Sequence, residues 1–203
     1  MQKGALTLSE KNKMSGWKNP HIVPGKKHTT ITRTFRIRTD WDAILREEAE
    51  RQGISVNVLM NMILRRYALF DRWTRGYKVI RLTQNAFREI LDGISTDNLA
   101  LAGEKSGPSD VQNILDIIGL PSNYDSFAYL LSEHFGGADS AMWFSCYPHF
   151  QENTDVFHLQ HNLGRGWSIY LQKYLLSSLK SMKIEGEAKI YDYAVNLKVP
   201  RLR

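Results

Sequence analysis

The chain has 203 residues, 42% apolar and 11% aromatic, which is enough to bury a core and excludes wholesale disorder. A single cysteine, Cys146, excludes an intrachain disulfide framework and a multi-thiolate metal centre. The formal charge of +6 is concentrated at one end: residues 1–38 hold nine Lys or Arg against one acid, a net +8, and the remainder, with 18 basic and 20 acidic residues, carries −2. Such asymmetry is expected of a protein that presents one end to a polyanion, nucleic acid foremost. No run approaches the roughly 18 apolar residues that span a bilayer, and the first residues lack the apolar stretch of a secretory signal, so a cytoplasmic, nucleoid-associated protein without membrane contact is expected.

Residues 1–28 mix Gly, Pro, Lys, Asn and Ser without a sustained period and read as a flexible basic arm. Next comes Thr30 to Asp40, TITRTFRIRTD, in which side chains alternate as in a strand: Phe35 and Ile37 share one face, Thr32, Thr34 and Arg36 the other. Thr39 or Asp40 stands where a helix N-cap belongs. Trp41, Leu45, Glu48 and Ala49 then repeat at helical spacing up to Gly53, giving a first helix over 40–52. Ser55 is a second N-cap candidate, and Val58, Leu59, Met62, Ile63, Tyr67 and Phe70 form the apolar stripe of a second helix over 56–71. A lone strand with two helices cannot close a core, because the strand has no partner and its apolar face no second layer, so this unit must dimerise.

The stretch FRIRTDWDAILREEAERQGISVNVLMNMILRRY resembles the ribbon-helix-helix family of DNA-binding proteins, the Arc and MetJ type that lays a two-stranded ribbon in the major groove. The resemblance covers about residues 30–71. It implies that Thr32, Thr34 and Arg36 face base edges, arginine suiting the O6/N7 pair of guanine and threonine offering a hydroxyl and a methyl. It further implies a phosphate clamp at the start of the second helix, on the backbone of Ser55, Val56 and Asn57. Arg33 stands where the family more commonly has an apolar residue and is assigned to phosphate, as are Lys26 and Lys27 of the arm.

The implied organisation is an arm (1–28), a ribbon-helix-helix unit for DNA binding and dimerisation (29–72), a connector (73–78) and a second domain (79–203). A basic run, Arg72, Arg75 and Lys78, spans the connector. Residues 85–155 of the second domain hold two basic residues against eleven acids and would be repelled by phosphate. Its pattern predicts a strand at Lys78–Leu82, a helix at Gln84–Gly93, a loop at Ala102–Asp110 (AGEKSGPSD), and helices at Asp110–Leu120 and Ser126–Phe135. Strands at Ala141–Tyr147 and Asp155–Asn162, a helix at Arg165–Met182, and a closing hairpin, Glu187–Tyr191 with Ala194–Val199, complete it. Two hairpins joined by a long amphipathic helix indicate an α+β domain with an antiparallel sheet.

Within that domain Cys146, His149, His158 and His161 are spaced C-x2-H-x8-H-x2-H, a donor set suited to zinc or nickel. Residues three apart on a strand point to opposite faces, however, so ordinary surface or core roles are expected and no cofactor is assigned. The turn His161–Trp167, with two glycines ahead of a helix, reads as a strand-to-helix junction rather than a phosphate loop. No catalytic order of residues stands out, and no enzymatic activity is expected. The sequence thus predicts a prokaryotic transcriptional regulator, dimeric or higher, with a second domain that takes a small-molecule effector, a protein partner or further copies. The alternatives are an antitoxin-like autoregulator and an architectural or segregation protein that coats DNA.

Overall fold

The computed structural model describes residues 30–74, 80, 82–137, 143–151 and 153–200. The basic arm with Lys26 and Lys27, the connector residues Arg75 and Lys78, and most of the strand expected at Lys78–Leu82 lie outside the described residues. Ile80 and Leu82 are described and belong to no strand. The architecture is α+β, mixed helix with a four-stranded antiparallel sheet.

Among the described residues, 30–38 form no ladder, and all of them are exposed. Helix α1 runs Thr39–Arg51, one residue ahead of its expected start, with Arg38 in the capping slot. The Asp40 carboxylate does not cap the backbone. It accepts two hydrogen bonds from the Arg38 guanidinium, at 3.0 and 2.7 Å, and together with Asp42 places negative charge in the first turn, where the helix dipole favours it. The helix ends in a Schellman turn: Gly53 N–H bonds the Glu50 carbonyl and Ile54 N–H the Ala49 carbonyl, both at 3.0 Å. Gly53 adopts φ +66°, a left-handed conformation that costs a side-chain-bearing residue about 1 kcal/mol.

Helix α2, Val56–Arg66, starts at Ser55 as expected, and the Ser55 hydroxyl accepts from Val58 N–H at 3.3 Å. It runs on through a π-helical turn, Tyr67–Asp71, and a last turn, Arg72–Thr74, so helix occupies the beginning of the expected connector. The reason is packing. Phe70 is buried, Trp73 leans on the core of the second domain, and the Arg72 guanidinium sits 4.0 Å over the Trp73 ring.

Helix α3, Gln84–Asp92, leads into α4, Thr96–Ile118, 23 residues long. Here the expected loop at Ala102–Asp110 is overturned: the segment is the middle of α4, Pro108 included. Its glycines are there for proximity. A Cβ on Gly103 would stand 2.3 Å from the Tyr170 carbonyl oxygen, and one on Gly107 2.3 Å from that of Tyr174. Spaced four apart, the two share one helix face and let α4 lie backbone to backbone against α6, the helix Gly164–Ser181. Ser106 adds a hydroxyl contact to Tyr170 OH at 2.9 Å.

Helix α5, Tyr124–Tyr129, again passes into a π turn, Leu130–Phe135. Strands β1 (Ser145–Phe150) and β2 (Thr154–Gln160) make a hairpin; α6 crosses over; β3 (Glu187–Tyr191) and β4 (Ala194–Pro200) make the second hairpin. The sheet order is β1-β2-β4-β3, all neighbours antiparallel. β1 runs three residues beyond its expected end, because Pro148 is tolerated in an outer strand. Phe157, Leu159, Val195, Leu197 and Val199 project from one sheet face into the core, against Leu171, Tyr174, Leu175 and Leu179 of α6.

Gly107→Ala should lower stability by about 2 kcal/mol, since a methyl forced into a backbone contact costs more than the roughly 1 kcal/mol that alanine gains over glycine in a helix. Denaturant titration of the variant checks this, and an unchanged midpoint would contradict the close approach.

Candidate nucleic-acid interface

The expected base-reading residues Thr32, Thr34 and Arg36 lie on the exposed segment ahead of α1, and Arg33 lies beside them, also exposed. Phe35 and Ile37 on the same segment are 59% and 38% exposed. Uncovered apolar surface continues onto the helices with Trp41 and Ile44 of α1 and Val58, Met62, Ile63 and Leu64 of α2, whereas Ala49 and Leu59 are buried between them. One copy therefore buries little of the amphipathic stripe that the sequence builds. Exposed apolar side chains thus run over three consecutive segments.

At the start of α2 the Val58 N–H is taken by Ser55 Oγ and the Leu59 N–H by the Ser55 carbonyl at 3.0 Å. The N–H groups of Ser55, Val56 and Asn57 precede the first ladder bond. Ser55 and Asn57 are exposed and Val56 is half-buried. An anion approaching that helix end meets backbone donors and the positive pole of the dipole. The end of α2 and its π turn meet the α5 π turn through the Arg65–Glu133 ion pair at 3.2 Å and Phe70 against the His134 ring at 5.1 Å.

The four sulfur and nitrogen donors of the second domain divide as the strand period demands. Cys146 points toward the core side, half-buried opposite Leu159, and burial pushes its thiol up to about 12, so it stays protonated and a poor ligand. His161 is buried at the end of β2, where Nδ1 accepts from Leu163 N–H at 3.2 Å and Nε2 bonds Ser168 Oγ at 2.9 Å. Burial lowers it to about 4, and it serves as an internal brace of the strand-to-helix turn. The same turn is pinned outside by the Arg88 guanidinium on the Asn162 carbonyl and by Arg165 on Asp192 at 3.1 Å, so its polar groups are engaged in structure. His149 and His158 lie on the opposite sheet face. Among the described residues no group of three His, Cys, Asp or Glu gathers as a metal centre, and no helix is long and apolar enough to cross a membrane.

No family model matches the chain, and no curated protein matches it by sequence.

His134, also buried, is likewise lowered to about 4. In the unfolded chain both imidazoles take up protons near the ordinary pKa of about 6.5, whereas the folded protein holds them neutral until about pH 4, so protonation favours unfolding. Stability should fall as pH drops from about 6.5 to 4. Chemical denaturation across that window should show a shallower slope for His161→Gln than for the unmodified protein.

Proposed function

We propose that the chain is a sequence-specific DNA-binding regulator. It acts as a homodimer whose paired residues 30–38 form a two-stranded ribbon in the major groove, with the α+β domain as effector sensor or oligomerisation surface. The observation that carries this reading is the exposed 30–38 segment, which pairs with no strand among the described residues and continues into uncovered apolar side chains on α1 and α2. A second copy supplies what is missing. Antiparallel pairing satisfies the backbone of both segments, Phe35 and Ile37 of each face inward over four helices, and Thr32, Thr34 and Arg36 remain outside.

In this arrangement recognition divides by chemistry. Arg36 and the two threonines read base edges, while the arm lysines Lys26 and Lys27, Arg33 and the α2 helix end at Ser55, Val56 and Asn57 hold phosphates and supply most of the affinity. The net +8 of residues 1–38 gives the long-range attraction.

Three outcomes test the proposal. Phe35→Asp, at a position exposed in the single chain, should shift the protein from dimer to monomer in light scattering and abolish DNA binding; a dimer that persists and still binds would defeat the reading. Arg36→Ala should relax discrimination between operator and mismatched duplexes by about 1–3 kcal/mol in anisotropy titrations. Deleting residues 1–28 should weaken binding to all duplexes and flatten its salt dependence, since a protein that neutralises fewer phosphates releases fewer counterions.

A further inference from the structure

The sheet face turned away from α6 carries a row of directly opposed residues, one from each strand: Tyr147, His158, Asn196 and Lys189. His149 lies one diagonal step from His158, because it pairs with Val156, two residues earlier on β2. The two imidazole centroids are 5.1 Å apart with the planes tilted by 80°. Two imidazoles that share one tetrahedral ion at nitrogen–metal distances of about 2.0 Å place their centroids about 5 Å apart, a spacing this pair already meets. His158 is also oriented. Its Nδ1 donates to Asn196 Oδ1 at 2.8 Å, since an amide oxygen only accepts, and in the neutral ring this leaves Nε2 as the nitrogen with a free lone pair. A second-sphere carbonyl on the far ring nitrogen is the usual support of a metal-ligating histidine.

We propose that His149 and His158, with Asn196 as the orienting residue, form a binding site for one late first-row divalent cation of the zinc, nickel or copper type. Imidazole nitrogen suits these ions, and the remaining coordination positions, on a face open to solvent, are filled by water. No third His, Cys, Asp or Glu joins the pair among the described residues. Lys189, in the same row two strands from His158, holds its ammonium 5.5 Å from the Tyr191 ring centroid. The site does not depend on the DNA-binding reading, and its test uses no DNA.

The experiment is calorimetric titration of the full chain with zinc chloride alone, paired with NMR observation of the histidine ring nitrogens. The expected result is a site whose saturation shifts the ring nitrogens of His149 and His158 and leaves those of His161 in place. His149→Ala and His158→Ala should each weaken binding at that site at least tenfold. Asn196→Ala should weaken it about tenfold, the usual cost of removing a second-sphere partner, while Tyr147→Ala should leave it unchanged. Because His149 is exposed and makes no core contact, its variant separates impaired binding from impaired folding. Zinc that leaves both ring signals unmoved, or that binds the two histidine variants as tightly as the unmodified chain, would overturn the proposal and reduce the pair to an edge-to-face ring contact.

Discussion

The backbone contact between α4 and α6 governs the second domain. Helices normally pack 8–10 Å apart, with side chains between them. Gly103 and Gly107 remove that layer on one side, so the Tyr170 and Tyr174 carbonyls meet bare backbone. That closeness sets α6 at a fixed height, and with it Tyr174, Leu171 and Leu175, which fill the space above the sheet. The aromatic stack that follows, Trp143 against Phe135 at 4.8 Å and Trp167 against Tyr170 at 4.8 Å, depends on the same placement.

This contact also explains where the sequence misleads. AGEKSGPSD has the composition of a loop, since Gly and Pro lower helix propensity and Ser competes for the backbone. What overrides propensity is a long-range partner, the Tyr170–Tyr174 stretch of α6, which no local pattern around residues 102–110 reveals. Segments whose signals are local read correctly: Ser55 as a cap, Gly53 as the left-handed end of α1, and the β3–β4 hairpin almost to the residue. The α1 start moved by one residue because Arg38 competes for Asp40, a side-chain choice that cap statistics do not contain.

The candidate site divides the same way. The exposure of residues 30–38 agrees with their alternating polar pattern, though no strand forms there among the described residues, and several side chains of the α1 and α2 stripe are left uncovered. The histidines needed a register. Spacing along one strand correctly separates Cys146 from His149 and His158 from His161, but the meeting of His149 with His158 is a cross-strand diagonal, set by the β1–β2 pairing and by nothing in the spacing itself.

The outer strands of the sheet carry a final consequence. β1 holds Pro148, which has no amide proton to offer a newcomer, and β3 alternates charged Glu187 and Lys189 with its inward residues, so both flanks discourage lateral growth. A strand added at either flank would meet a missing amide on one side and alternating charges on the other.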